Sequence, residues 1–236
     1  MSESCPIVIV GVGGQGVISL ARLLGRAATD VGLEARVGQI YGLSQRGGSV
    51  EATVRIGPGS TAFISPNEAK VVVGLEPLEA ERALPKMSPE ATVLVNQTPI
   101  IPTGMTLSRS DYPDLSSIVS RIDEIARIVH VVDGTALARK VGNVRLLNIV
   151  MLGALAGIDL LPVPGSALAS AVERVNTSTG HAAKTQAFGL GEELGREAVA
   201  SSRPTTPSAT GHPGRHPSIL IDQGRRAGTG KPQQSE

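Results

Sequence analysis

The first part of the chain constrains the fold more than any other. A continuous apolar run at residues 6–10 leads into the glycine-rich stretch GVGGQG at 11–16, and that stretch leads into a segment with helical periodicity. This is the order strand, tight turn, helix, with glycines in a G-x-G-x-x-G pattern. Glycines allow close approach of a ligand or a neighbouring chain, and the N–H groups that open a helix attract anions. The candidate site residues in this turn are Gly11, Gly13, Gly14, Gln15 and Gly16.

The remaining apolar segments predict an α/β architecture. Aromatic residues make up only 2% of the 236 residues, so the core must consist of Val, Ile, Leu and Ala, which suits buried parallel strands covered by helices. Residues 50–56 alternate as a half-buried strand, and residues 61–64 are expected to return as its partner after a turn. We predict a three-layer Rossmann-like domain over residues 1–200, with a mixed, mainly parallel sheet and an inserted hairpin.

Several helix ends carry recognisable signals. Gly32 is expected to end the first helix, Asp133 to cap a helix that follows it, and Ser166 to cap a helix over residues 167–175. Residues 144–156 are apolar nearly all round and predict a buried helix, in which Asn148 is the one polar residue after Arg145. Residues 201–236 are rich in proline and glycine and predict a disordered tail.

Composition excludes several classes of function. A formal net charge of +1 and the scarcity of aromatic residues disfavour nucleic-acid binding. The longest apolar segment, residues 146–158, is shorter than the roughly 20 residues that span a membrane. No signal peptide is recognisable, so a cytoplasmic protein is expected. The single cysteine, Cys5, is expected before the first strand and cannot ligate an iron–sulfur cluster, and the four histidines show no metal-ligand spacing.

A second glycine-rich segment lies at residues 42–49. A guanidinium beside a flexible glycine pair can bind a phosphate or a carboxylate, although an exposed loop with a solvated arginine would have the same composition. A nicotinamide site would need an acidic residue near the end of the second strand, and residues 37–41 contain none. The candidate residues of this second segment are Ser44, Gln45, Arg46, Gly47 and Gly48.

Taken together, the two glycine segments identify a family. The stretches IVIVGVGGQGV at 7–17 and GLSQRGGSV at 42–50 resemble the γ-type domain of 2-oxoacid:ferredoxin oxidoreductases. Within that family the sequence is most similar to the small (beta) subunits of indolepyruvate ferredoxin oxidoreductases. The stretches GLEPLEA at 74–80, Val95-Asn96 and NIVMLGA at 148–154 agree as well, so the resemblance covers residues 6–198.

The resemblance implies an enzyme that oxidatively decarboxylates aryl pyruvates to acyl-coenzyme A, with ferredoxin as the electron acceptor. It also implies that thiamine diphosphate, magnesium and [4Fe-4S] clusters lie on a large partner subunit, that coenzyme A is a co-substrate, and that this chain is inactive alone and binds no cofactor by itself. The two glycine segments would then lie at the subunit interface or near coenzyme A, and no catalytic residue is assigned. Two alternatives stay open: a stand-alone NAD(P)-binding oxidoreductase and a non-catalytic assembly module.

Overall fold

A mixed sheet of six strands organises the part of the chain that the structure describes. The structure is a computed structural model, and it describes residues 3–41, 48–101, 112–175 and 180–201. In chain order its elements are β1 (Cys5–Val12), α1 (Val17–Asp30), β2 (Ala35–Tyr41), β3 (Ser49–Ile56), β4 (Ala69–Gly74), α2 (Pro77–Arg82), β5 (Met87–Asn96), α3 (Leu115–Asp123), β6 (Ile128–Val132), α4 (Gly134–Lys140), α5 (Leu147–Ile158), α6 (Gly165–Glu173) and α7 (His181–Ser201). Short 3-10 helices at Leu84–Lys86 and Val144–Leu146 precede β5 and α5.

The strand order is β2-β3-β1-β4-β5-β6. β1, β4, β5 and β6 pair in parallel, whereas β3 pairs antiparallel with both β1 and β2. The prediction of a mixed, mainly parallel sheet is therefore confirmed. Its antiparallel strands are β2 and β3, and not the predicted hairpin of residues 50–56 with residues 61–64.

The predicted partner strand at residues 61–64 is wrong, because this segment is not a strand. The side chain of Arg55 takes the place of a neighbouring strand. Its guanidinium donates to the carbonyl oxygens of Thr61 at 2.9 Å and Phe63 at 2.7 Å, and it forms an ion pair with Glu68 at 2.7 Å. The carbonyl groups of this segment thus have a side-chain donor instead of a ladder of backbone bonds.

Helices cover both faces of the sheet, which confirms the three-layer architecture. One apolar cluster joins Ile7 and Ile9 of β1 to α1 and to α4 through α7. The other joins Val8 and Val10 of β1 to α2 and α3. Successive residues of β1 enter different clusters because side chains alternate along a strand.

Helices α5 and α7 approach so closely that their backbones touch. A Cβ atom built on Gly153 of α5 would lie 2.1 Å from the carbonyl oxygen of Phe188, and one built on Gly191 of α7 would lie 2.1 Å from that of Val150. One turn further along, the same crowding is found at Gly157 of α5 and at Gly195 of α7. We call these four residues (Gly153, Gly157, Gly191 and Gly195) the glycine seam.

The helix-end predictions have mixed outcomes. Asp133 caps α4, since its side chain accepts from the N–H of Ala136 at 2.9 Å, and Gly32 follows α1 with a φ of +80°. Ser166 is not a cap, because α6 begins at Gly165. The carbonyl of Pro164 accepts the N–H of Ala167 at 2.9 Å, so the proline itself starts the helix. Ser166 therefore lies inside the first turn.

Two further expectations concern the ends of the chain. Cys5 is the first residue of β1 rather than a residue before it. The predicted tail lies outside the described residues, apart from Ser201, which ends α7.

Candidate functional site

The turn between β1 and α1 adopts a backbone conformation that requires glycine. Gly14 has a φ of +100° and Gly16 a φ of +86°, a region that other L-residues rarely adopt. Gly16 is the N-cap residue of α1, and no side chain caps this helix. The N–H of Gly13 donates to the carbonyl of Gly48 at 3.0 Å, so the two glycine segments meet at this bond.

Gln15 bridges two strands from within the turn. Its Oε1 accepts the N–H of Val12 at 2.7 Å, and its Nε2 donates to the carbonyl of Leu75 at 2.8 Å. Gly11 lies underneath, where a Cβ atom would be only 2.8 Å from that Oε1. The amide of Gln15 therefore joins the ends of β1 and β4, and both of its polar atoms have partners within the chain.

A cavity of about 640 Å³ opens beside the turn, between α1 and the helices α5, α6 and α7. Gly14 and Gly16 line it together with Ser19 and Asn148. No carboxylate is among the described residues that line the cavity. Its basic lining residues are Arg22, Arg26, Arg145, Arg174 and Lys184.

Some of these cations already have partners. Asp30, outside the lining, pairs with Arg26 at 3.0 Å and with Arg174 at 2.7 Å, and Lys184 donates to the carbonyl of Val175. Arg22 and Arg145 are exposed, and neither forms an ion pair with a described residue. These two guanidinium groups are therefore available to an anionic ligand.

Asn148 is the buried polar residue that the sequence singles out in α5. The residue is only 7% exposed, and its side chain forms no hydrogen bond with a described residue. A Cβ atom on Gly16 would lie 2.8 Å from both Cγ and Nδ2 of Asn148, so this amide packs directly on the glycine turn. Because Asn148 lines the cavity, its amide can form hydrogen bonds with a polar ligand there.

The N-terminal ends of two helices meet at this cavity. α1 begins at the glycine turn without a side-chain cap. α5 continues from the 3-10 helix Val144–Leu146, whose first turn is capped by the side chain of Asn143. Helix N-termini carry a partial positive charge and favour bound anions. Together with the cationic side chains, they give the cavity the electrostatics of a phosphate site.

The sequence predicts only part of this site. Gly14 and Gly16 line the cavity, whereas Gly11 and Gln15 make contacts within the chain. Residues 44–47 lie outside the described residues, and Gly48 lies next to β3. Sequence reasoning missed all five basic residues, because they come from different helices and share no motif.

Cys5 and His130 lie away from the cavity, and burial shifts the pKa of both. Burial raises the pKa of the Cys5 thiol to about 11, which keeps it protonated and unreactive at neutral pH. Burial also lowers the pKa of His130 on β6, an effect that a hydrogen bond with the backbone of Ala198 partly offsets. His130 is thus a core histidine on a partly buried strand.

The described residues contain neither a candidate membrane-spanning helix nor a candidate metal-binding cluster. Within them, no helix has the length and apolar character needed to cross a bilayer. The same residues contain no group of three or more His, Cys, Asp or Glu side chains placed to hold a metal ion.

Comparison with known proteins gives consistent results. Residues 6–193 match the family model described as pyruvate ferredoxin/flavodoxin oxidoreductase. The indolepyruvate oxidoreductase subunit IorB of Methanothermobacter thermautotrophicus is 40% identical over 166 residues, which cover 70% of this chain and 85% of that protein.

Solved structures share the fold. The 2-oxoglutarate:ferredoxin oxidoreductase of Magnetococcus marinus, with 2-oxoglutarate, coenzyme A and succinyl-CoA bound, superimposes with a TM-score of 0.65 at 19% identity over 84% of this chain and 32% of that longer chain. The gamma subunit of a keto/oxoacid ferredoxin oxidoreductase from Geobacter sulfurreducens superimposes with a TM-score of 0.59 at 21% identity, over 82% of this chain and 99% of that one.

Proposed function

Because this chain belongs to the pyruvate ferredoxin/flavodoxin oxidoreductase family, we propose that it is the small subunit of a cytoplasmic 2-oxoacid:ferredoxin oxidoreductase that acts on aryl pyruvates. The observation that carries the proposal is the 40% identity to a protein named as an indolepyruvate oxidoreductase subunit, over 85% of that protein's length. In the proposed reaction an indolepyruvate-like 2-oxo acid loses carbon dioxide and its acyl group is transferred to coenzyme A. Two electrons pass to two ferredoxins and one proton is released.

The reaction needs groups that this chain does not fit. An iron–sulfur cluster takes about four cysteine ligands, and the chain has only Cys5. We therefore assign the clusters, together with thiamine diphosphate and its magnesium ion, to a large partner subunit. Thiamine diphosphate supplies the carbanion chemistry of decarboxylation.

This chain's own contribution is the cavity beside the glycine turn, which fits the phosphate-bearing end of coenzyme A. That end carries a diphosphate and a 3′-phosphate, and the cavity has five cations but no carboxylate in its described lining. Arg22 and Arg145 each present a guanidinium that can bind a phosphate through two hydrogen bonds. The space next to Gly14 is open, since a Cβ atom there would meet nothing within 4 Å.

Asn148 gives the cavity a neutral hydrogen-bonding group, which packs against Gly16 of the turn. The turn binds the phosphates, and the thiol end of coenzyme A then extends towards the large subunit. This division explains why the chain is expected to be inactive alone.

The proposal is tested with the complex of this chain and its cognate large subunit. We expect reduction of ferredoxin that depends on an aryl pyruvate and on coenzyme A, and no activity from either subunit alone. Turnover of 2-oxo acids by the large subunit alone would contradict the proposal. So would failure of the two chains to co-purify.

The coenzyme A site is tested by charge reversal. Arg22→Glu and Arg145→Glu are each expected to raise the KM for coenzyme A by about tenfold or more, since charge-assisted bonds contribute about 1.5–3 kcal/mol. The matched control is Arg127→Glu, an exposed pair partner of Glu90 that does not line the cavity. An unchanged KM in both cavity variants would show that coenzyme A binds elsewhere. Weaker association with the large subunit, with an unchanged KM for the complex that still forms, would favour an assembly role for this surface.

A further inference from the structure

A buried carboxylate lies on the opposite side of the glycine turn from the cavity. Glu79, in the first turn of α2, is only 3% exposed. Its carboxylate accepts the hydroxyl of Ser49 at 2.5 Å and forms an ion pair with Arg82 at 2.6 Å. Ser49 is the first residue of β3, so this bond joins α2 to the end of a strand 30 residues earlier in the chain.

The start of β3 is also hydrogen-bonded to the glycine turn. Ser49 lies opposite Val12 in the antiparallel register of β1 and β3. The preceding residue, Gly48, accepts the N–H of Gly13 at 3.0 Å. Glu79 therefore fixes Ser49, Ser49 is covalently joined to Gly48, and Gly48 holds the middle of the turn.

The other support of the turn begins at the same corner of the fold. Gln15 donates to the carbonyl of Leu75, and the N–H of Leu75 donates to the carbonyl of Val10 at 2.8 Å. Leu75 directly follows β4, and Glu79 lies in the first turn of α2. The corner formed by residues 75–79 thus holds the glycine turn at two points, Gln15 and Gly13.

The carboxylate of Glu79 gives this contact a strong hydrogen bond, which an apolar side chain could not provide. Burying a carboxylate carries a desolvation cost, and an apolar side chain of similar size would fill the space without it. A short O–H···O⁻ bond is roughly twice as strong as a neutral bond and fixes the distance between its partners more closely. Such a bond is suited to holding a strand end in one position.

We propose that Glu79 is a positioning residue that sets the glycine turn against the cavity, acting through Ser49 and Gly48. The proposal rests on the proposed function, because its kinetic consequence is a change in the binding of coenzyme A. A turn that is free to shift moves Gly14 and Gly16 relative to Asn148 and the arginines. Binding of the phosphates weakens as a result, whereas the chemistry on the large subunit does not change.

The kinetic test uses the complex of both subunits. In Ser49→Ala and in Glu79→Gln, the KM for coenzyme A is expected to rise at least fivefold, with kcat at saturating coenzyme A within twofold of wild type. Ser49→Thr keeps the hydroxyl and is expected to restore the wild-type KM. The matched control is Glu81→Gln, which removes an ion pair of the same helix with Arg121 but does not contact Ser49. A KM that is unchanged in both variants, or equally raised in the control, overturns the proposal.

A second readout does not depend on the proposed function. Amide hydrogen exchange of the turn is expected to be faster in Ser49→Ala and Glu79→Gln than in wild type, at Gly13 above all, and unchanged in Glu81→Gln. Unchanged exchange at Gly13 overturns the positioning role even if the enzyme is active. Faster exchange in a complex that oxidises no 2-oxo acid supports the positioning role and removes only the proposed function.

Discussion

The glycine seam and the glycine turn use the same residue type for opposite purposes. In the seam, the space that a side chain would take is filled by the backbone of the other helix, at distances near 2.1 Å. At Gly14 of the turn that space is empty, and only the positive φ requires glycine. Helix α5 takes part in both, with its first turn at the cavity and its later turns in the seam. A glycine whose missing side chain is replaced by protein atoms contributes to packing, whereas one that faces empty space leaves room for a ligand.

The largest expected effect is in the seam. Gly153→Ala or Gly191→Ala would force two helix backbones apart, and overpacking of this kind costs about 3 kcal/mol. Urea unfolding of the purified protein measures the loss. Gly189→Ala is the control on α7, because a Cβ atom there meets nothing within 4 Å and alanine favours a helix by up to about 1 kcal/mol. A seam variant as stable as the control would show that the helices are not in backbone contact.

A smaller loss is expected in the turn. Gly14→Ala meets no steric obstacle, so its cost is the left-handed backbone alone, about 1–2 kcal/mol. Gly14→Asn should lose less, because asparagine tolerates this conformation better. Thermal unfolding of the two variants beside wild type decides the matter. Equal losses in the turn and in the seam would remove the distinction between the two glycine clusters.

The stability of the protein should depend on pH through His130, which forms a hydrogen bond with the backbone of Ala198 near the end of α7. His130 takes up a proton near pH 6.5 when the chain is unfolded and only at lower pH in the folded protein, so the unfolded state binds more protons in that window. Stability therefore falls as the pH drops below about 6.5. His130→Gln should reduce the difference in Tm between pH 7.5 and pH 5.5. Asp123 and Glu197 line the same pocket as His130. Asp123→Asn is the control, and in this background His130→Gln should reduce the Tm difference by the same amount as in wild type.

The smallest effect on stability is expected at Asn148. Asn148→Leu removes a cavity-lining amide that forms no hydrogen bond with a described residue, so the free energy of unfolding should stay within about 0.5 kcal/mol of wild type. The KM for coenzyme A should nevertheless increase. A loss of stability without a change in KM would show that Asn148 is a packing residue. The cavity would then serve helix packing, as the seam does, and not ligand binding.

Local signals in the sequence were sufficient to predict much of the fold. The apolar run before the first glycines predicts β1, and Asp133 at a helix start predicts its bond to Ala136, because both depend on neighbours within a few residues. Residues 61–64 have the composition of a strand but are held by Arg55 and Glu68. That arrangement depends on tertiary contacts that periodicity does not report.

The candidate site was less predictable than the fold. Glycines that need a positive φ leave a recognisable motif, and Asn148 is conspicuous in an apolar helix. Arg22, Arg145 and Lys184 come together only because α1, α5 and α7 pack side by side. The seam likewise depends on two helices that are distant along the chain. The sequence shows four glycines at helical spacing, but it does not show that they face each other.

Gln15 affects where this fold can bind a ligand. In open α/β sheets ligands bind at the carboxyl ends of the strands, where the chain departs to opposite sides; here that place lies between β1 and β4. The amide of Gln15 occupies it and uses the Val12 N–H and the Leu75 carbonyl that a bound nucleotide would otherwise meet. The crevice between β1 and β4 is thus filled by a side chain of the protein itself, and the open space lies beside it, between α1 and the helices α5, α6 and α7.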